Sequence, residues 1–480
     1  MQQAVSYNKP VLALCMACLL ACIVTFCFTG SYVVFAVPLA IAYLFVFFYD
    51  WKAAYWILIC CVPVSMQFMF MQRTGSLSFP DEPMCWLFLV YLVVMLAYKP
   101  NAIPKYFWYH PITIVVGLQF LWLLVAVFNS QVLFFSLKFL LAKVWYLACF
   151  FMLPLFVFRT KSDFKRGFLL VLAPMVATMI YITWQHYLLH FNFAKVNKAI
   201  GLLYYNHVEY STVASMFLPL VCVAYPLSRG MKKSIRVLLL VLIAFYLVVV
   251  GIAYARAAVL AVVFAGLIAL AIRYRFVNII MPCFYALVIA GVMYMAKDNK
   301  YIDFRPDYQH TYMRHNFADH MVATFRGQDI SSMERLYRWI AAVRMSADRP
   351  LTGYGPHGFY YFYKPYAVLT FRTYVSDNYE HSTTHNYFLF MLVEQGWPAM
   401  LLYALLVMVV FAQAQKIYHR FNDRFYKYCT LGIAMLFAAC FVNNFFSELI
   451  ETHKVGALFY LALALLVVLD RKSKEEIATA

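Results

Sequence analysis

The sequence predicts an all-α polytopic membrane protein of about fourteen transmembrane helices, with twelve to fourteen compatible with its apolar runs, and a large helical loop on the outer face. Three observations carry that class. The 480 residues are 65% hydrophobic and only 12% charged, whereas a soluble globular protein carries about 25% charged residues. Apolar runs long enough to cross a bilayer recur along the chain. The cations between those runs fall on alternate turns.

The runs lie at about 11–29, 31–49, 52–71, 84–98, 111–128, 135–157, 168–190, 209–228 and 236–253. They continue at about 257–272, 277–296, 394–414, 427–446 and 456–469. The first is followed at once by a second, so it reads as a span and not as a cleaved leader. Three parts result: helices 1–11 within 1–296, a large outer-face loop over 297–385 carrying candidate catalytic groups, and C-terminal helices within 386–480.

The net charge of +18 does not mark a nucleic-acid binder, because much of the excess sits in short turns. KPNAIPK (99–105), RTKSDFKR (159–166), SRGMKKSIR (228–236), RYR (273–275), KIYHRFNDRFYK (416–427) and DRKSK (470–474) would all share one side. By the positive-inside rule that side is cytoplasmic, as are both termini. The twelve Cys lie in or beside apolar runs. They read as polarizable packing residues, with neither a disulfide framework nor a zinc site indicated.

The segment 297–385 breaks the rhythm, and a loop of that length usually has a function. Within it SSMERLYRWIAAVRMSADRP (331–350) predicts a helix, opened by a capping box of Ser331 and Glu334 and stopped by Pro350. Met333, Leu336, Ile340 and Val343 would form its apolar stripe. A glycine-rich turn, LTGYGPHGF (351–359), follows.

Several groups could carry chemistry. Arg256, between two apolar runs, either snorkels to headgroups or stands as a fixed cation able to clamp a phosphate. Arg338 has Glu334 four residues before it and reads as a helix ion pair. Arg335 has no such partner and shares a face with Trp339, which favours a ligand contact. His381 and His385 are four apart, but HSTTH lacks the Glu of a zinc helix, so no metal is expected. A neutral imidazole at the outer surface suits proton acceptance. Asn386 and Glu394 could orient a site or cap helices. Lys138 and Lys143, inside an apolar run, need a cavity or a partner. Glu448, Glu451 and His453 are weaker candidates. The chain carries no nucleotide-binding fingerprint, so an outward-facing enzyme would need an activated substrate.

Three segments together resemble the O-antigen ligase and polymerase superfamily of bacterial envelope glycosyltransferases. They are YARAAVL (254–260), ERLYRWIAAVRMSADRPLTGYGPHGF (334–359) and THNYFLFMLVEQGWPA (384–399). The matching positions are Arg256; Arg335, Trp339, Pro350, Gly353 and Gly355; and His385, Asn386, Glu394 and Gly396. Ala255 and Ala257 stand where Ser and Gly are common, His357 where a small residue is usual, and Ala399 replaces a second Gly.

The resemblance implies a C-type glycosyltransferase-like bundle in the bacterial inner membrane. It would move a glycan from a polyprenyl (undecaprenyl) diphosphate carrier to an acceptor hydroxyl, lipid A–core or another glycan, on the periplasmic face. No cofactor or metal is implied, and inversion at the anomeric carbon is expected. Arg256 and Arg335 would hold the diphosphate and His385 would take the proton. Arg338, His381, Asn386, Glu394, Trp339 and His357 would support the site. Polymerase or exopolysaccharide polymerase, and protein O-glycan ligase, fit the same motifs. A glycan transporter is the alternative of another class.

Overall fold

The computed structural model describes residues 36–479 with Thr25 and Val34, apart from 71–74, 306–328, 374–375 and 377–381. The chain divides into two compact units, 1–61 and 62–480. In the first, α1 (Ala36–Tyr49) and α2 (Trp51–Cys61) pack on one another. Between them Asp50 accepts the Lys52 N–H at 2.9 Å.

The second unit opens with a small antiparallel hairpin, β1 (Met66–Phe70) and β2 (Gly75–Phe79), with Met66 opposite Phe79 and Phe70 opposite Gly75. Its membrane helices are α3 (Asp81–Tyr98), α4 (Pro111–Phe128), α5 (Leu133–Tyr146), α6 (Lys161–Leu188), α7 (His207–Leu227) and α8 (Lys233–Ile252). Then come α9 (Arg256–Arg273), α10 (Val277–Ala296), the loop helix α11 (Ile330–Asp348), α12 (Tyr387–Arg420), α13 (Arg424–Phe445) and α14 (His453–Thr479).

Among the described residues, 11 helices are long and apolar enough to cross a membrane, and α1 and α2 are shorter apolar helices. Together they account for the predicted runs from 31–49 onward. The run at 11–29 lies outside the described residues.

One run is corrected. The predicted span 52–71 ends as helix at Cys61, and its tail forms β1. The tail reads VPVSMQFMF, where a proline breaks the helix and the alternation around Gln67 suits a strand. Apolarity alone does not separate the two. The Pro63 carbonyl is satisfied by the Lys454 ammonium at 2.8 Å.

Helix boundaries follow local chemistry. Thr160 and Asp163 form a reciprocal capping box on α6, and Asn206, Asn386 and Asp423 cap α7, α12 and α13. Pro154 has no N–H to donate, and the ladder before it widens into a π turn over Leu147–Met152, where Leu153 N–H reaches Ala148 O at 3.1 Å.

At the centre, α13 packs on α7, α9, α12 and α14. The buried Ala258, Ala261 and Ala265 of α9, and Ala434, Ala438 and Ala439 of α13, let helix axes approach closely. The six basic turns gather at one end. Lys161 pairs with Asp423 and Arg420 with Asp470. Arg471 lies over Tyr106, Arg424 donates to Pro226 O, and His419 contacts Ile272 O. The loop helix lies at the other end.

The loop helix α11 departs from its prediction in two details. Its N-cap is Asp329, which accepts the Ser332 N–H at 3.0 Å and hydroxyl at 2.6 Å. Glu334 therefore does not reach back in a box with Ser331; it receives hydroxyls from Thr373 and Ser376. The buried stripe is Met333, Tyr337, Ala341 and Met345, whereas Val343 is 51% exposed. Tyr337 sets this register by packing edge-on against buried Tyr363, a contact no helical periodicity announces.

Candidate active site

Arg256 reaches its position through a sharp turn. Tyr254 adopts φ 56° between α8 and α9, and its hydroxyl donates to Phe191 O at 2.7 Å. The chain reverses there, so Arg256 is the first residue of α9, at the same end as α11. Its guanidinium meets the wholly buried carboxylate of Asp329 at 2.8 Å. The snorkelling alternative is thereby displaced, because the arginine pairs with protein.

Arg335, a turn and a half along α11, donates Nη1 to the Ser331 hydroxyl at 2.7 Å and Nε to Phe446 O at 3.4 Å. Its Nη2 has no hydrogen-bond partner among the described residues. Burial, and next the like charge of Arg256, bring the Arg335 guanidinium down to about 10. It stays charged at neutral pH. Two guanidinia close enough to raise each other's energy form a site that an anion stabilises.

His385 is pinned on both sides. The Trp339 indole donates to Thr384 O at 2.9 Å, and the Asn386 amide donates to Phe445 O at 3.0 Å. His385 itself adopts φ 52°, which turns its ring out of the line of α12 and leaves its side chain 30% exposed. Its Nδ1 faces Glu448 Oε2 at 3.7 Å, and that oxygen is buried without a hydrogen-bond partner among the described residues. A carboxylate on the Nδ1 side favours the proton there and leaves Nε2 as acceptor. Burial first, then the charges of Arg338 and Arg335, hold the imidazole well below its usual range. Burial pushes the Glu448 carboxyl up.

The remaining candidates sort into distinct roles. Trp339 braces the irregular segment before His385. Asn386 is the cap of α12, accepting Leu389 N–H at 3.1 Å. Arg338 contacts Glu334 at 3.4 Å, as its spacing predicts. His381 lies outside the described residues.

Glu394 belongs to an interlock. Its carboxylate accepts the His357 N–H at 2.7 Å and the Phe359 N–H at 3.5 Å. Tyr354 N–H donates to Val393 O, Gly355 N–H to Glu394 O and Trp397 N–H to Pro350 O, at 2.8–3.0 Å. The glycine-rich turn and the kink of α12 at Gly396 (φ 84°) thus clasp each other. A Cβ on Gly396 would lie 1.9 Å from Leu351 O. Gly396→Ala should therefore destabilise the protein by at least about 1–3 kcal/mol from backbone strain alone. Thermal unfolding in detergent checks it; an unchanged midpoint would contradict the interlock.

His357 stands apart from His385. Its ring packs edge-on to Phe139, with centroids 5.4 Å apart, and the charges acting on it are Glu451, Lys138 and Lys143. Lys143 is buried and pairs with Glu451 at 2.7 Å, and the Tyr387 hydroxyl donates to the same carboxylate at 2.7 Å. Sequence reasoning named Glu448 only weakly and missed Asp329. Asp329 was findable as the Asp preceding a helical run; Glu448 was not, since 63 residues separate it from His385 along the chain.

Fold and site together define a multi-pass α-helical membrane protein with two arginines near a histidine–carboxylate pair at one end of the bundle. Residues 237–404 match the family model described as O-antigen ligase. That match, which spans Arg256, α11 and His385, supports the O-antigen ligase superfamily and a function of ligase or polymerase type in the inner membrane. No curated protein matches the chain.

Proposed function

We propose that this protein transfers a glycan from a polyprenyl diphosphate carrier to an acceptor hydroxyl at the periplasmic face, acting first of all as an O-antigen ligase onto lipid A–core. The observation that carries this reading is the convergence of Arg256, Arg335, His385 and Glu448 at the end of the bundle opposite the basic turns. By the positive-inside rule the basic end is cytoplasmic, which makes the site periplasmic.

Arg256 and Arg335 bind the diphosphate and take up the charge that develops as it leaves. The acceptor hydroxyl gives its proton to His385 Nε2. Its oxygen forms the new bond to the anomeric carbon as the bond from that carbon to the phosphate oxygen breaks. Polyprenyl diphosphate departs as the anion, and Glu448 stabilises the imidazolium through Nδ1. A single direct displacement inverts the anomeric centre.

The test is the glycolipid ladder of a strain lacking the protein, with wild type restored alongside. Loss of every rung with lipid-linked polymer accumulating supports a ligase. One surviving rung moves the assignment to a polymerase. An unchanged ladder overturns both lipopolysaccharide readings.

A pH dependence follows. His385 acts as base only when neutral, and its surroundings disfavour the proton. The acid limb of the transfer rate should therefore fall well below pH 6.5, with activity held above it and lost as pH drops through the depressed value. A rate profile in purified protein checks this; a limb at or above pH 6.5 would contradict the base assignment.

A further inference from the structure

Arg338 is a buried cation beside the candidate site that the reaction above leaves unused. It is 6% exposed; among the described residues its buried Nε has no hydrogen-bond partner, and its side chain bonds Glu334 through Nη2 at 3.4 Å. Glu334 is a weak counterion, because its other oxygen already receives the Thr373 and Ser376 hydroxyls. A guanidinium withdrawn from water with so little compensation is costly unless an anion arrives.

Its position indicates which anion. Arg338 follows Arg335 by three residues, so it lies on nearly the same helix face about 4.5 Å further along the axis. Among the charges acting on His385, Arg338 stands before Arg335, and both act on Glu448. A diphosphate held by Arg256 and Arg335 would hand its first sugar to the Arg338 and His385 side.

We propose that Arg338 is a specificity residue that recognises an acidic substituent, a carboxylate or phosphate, on the donor sugar adjoining the diphosphate. This rests on the donor reading given above. A planar guanidinium meets such a group through paired, charge-assisted hydrogen bonds, and a neutral sugar leaves it unsatisfied.

Two synthetic probes test it: undecaprenyl diphosphate carrying glucuronic acid, and its glucose counterpart. Each is competed against labelled undecaprenyl diphosphate on purified full-length protein. Wild type should prefer the acidic probe by roughly 10- to 100-fold. Arg338→Gln should erase that preference while bare undecaprenyl diphosphate binds as before. The double variant Glu334→Gln/Arg338→Gln removes both charges of the pair and should behave alike, which covers misfolding of the single variant.

Equal affinity of wild type for the two probes overturns the inference, as does a preference that survives in a folded variant. Equal loss of all three ligands in Arg338→Gln also overturns it, placing Arg338 in the diphosphate clamp. Failure of wild type to bind bare undecaprenyl diphosphate overturns the donor reading itself, and the inference with it.

Discussion

Replacing His385 with alanine should abolish detectable glycan transfer, lowering the rate by about 10²- to 10⁴-fold, with protein abundance and donor binding preserved. The expectation follows from how the ring is held. Trp339 and Asn386 anchor the backbone on either side of it, so its removal leaves those contacts in place. The side chain retains 30% exposure and faces Glu448, so alanine opens space without collapsing a core. The measurement is conversion of lipid-linked glycan in proteoliposomes, with carrier binding measured in parallel. A transport role predicts the opposite pattern, in which substrate movement survives the substitution. Loss of donor binding together with activity would instead make His385 a binding residue.

The second large effect concerns the cations. Arg335→Ala should lower transfer by about 10²- to 10³-fold, the range found when one transition-state donor is removed. Arg335→Lys should recover only part of that loss. A lysine supplies the charge but cannot reproduce the fork that joins Ser331 and Phe446 O while keeping a further N–H for an anion. Arg256→Ala should have a similar effect through a second route, because it also removes the Arg256 contact to Asp329, the cap of α11. Double substitution of Arg256 and Arg335 should cost less than the sum of the two, since both act on one anion. Additive losses would mean that the guanidinia bind separate groups.

These results would bear on a division of labour within the motif segments. Pro350, Gly353, Gly355, Glu394 and Gly396 do not converge on His385. They lock the loop's glycine-rich turn into the α12 kink, with backbone contacts so close that a Cβ at Gly353 would lie 2.4 Å from Val393 O. Such contacts place the loop over the bundle and thereby carry Arg335 toward His385. The residues that hold the geometry and those available to a substrate are therefore adjacent in sequence but different in role.

Much was legible from sequence alone. Lipid as the solvent, the series of spans and the grouping of basic turns follow from composition and periodicity, because hydrocarbon demands long apolar helices. Arg256, Arg335 and His385 stood out as candidates because charge and imidazole at a membrane surface are costly unless used. Caps such as Thr160, Asn206 and Asp423 were equally local. Partner identity was not. Asp329 meets Arg256 across 73 residues, and Glu448 meets His385 across 63; no periodicity encodes such pairings. The strand at 66–70 escaped for a related reason, since a short apolar run is helix or strand according to what lies against it. The sequence by itself determined the solvent, the spans and the chemical types at the site. The tertiary structure decided which of those groups meet, because ion pairs and clasped backbones depend on distances that only the packed bundle sets.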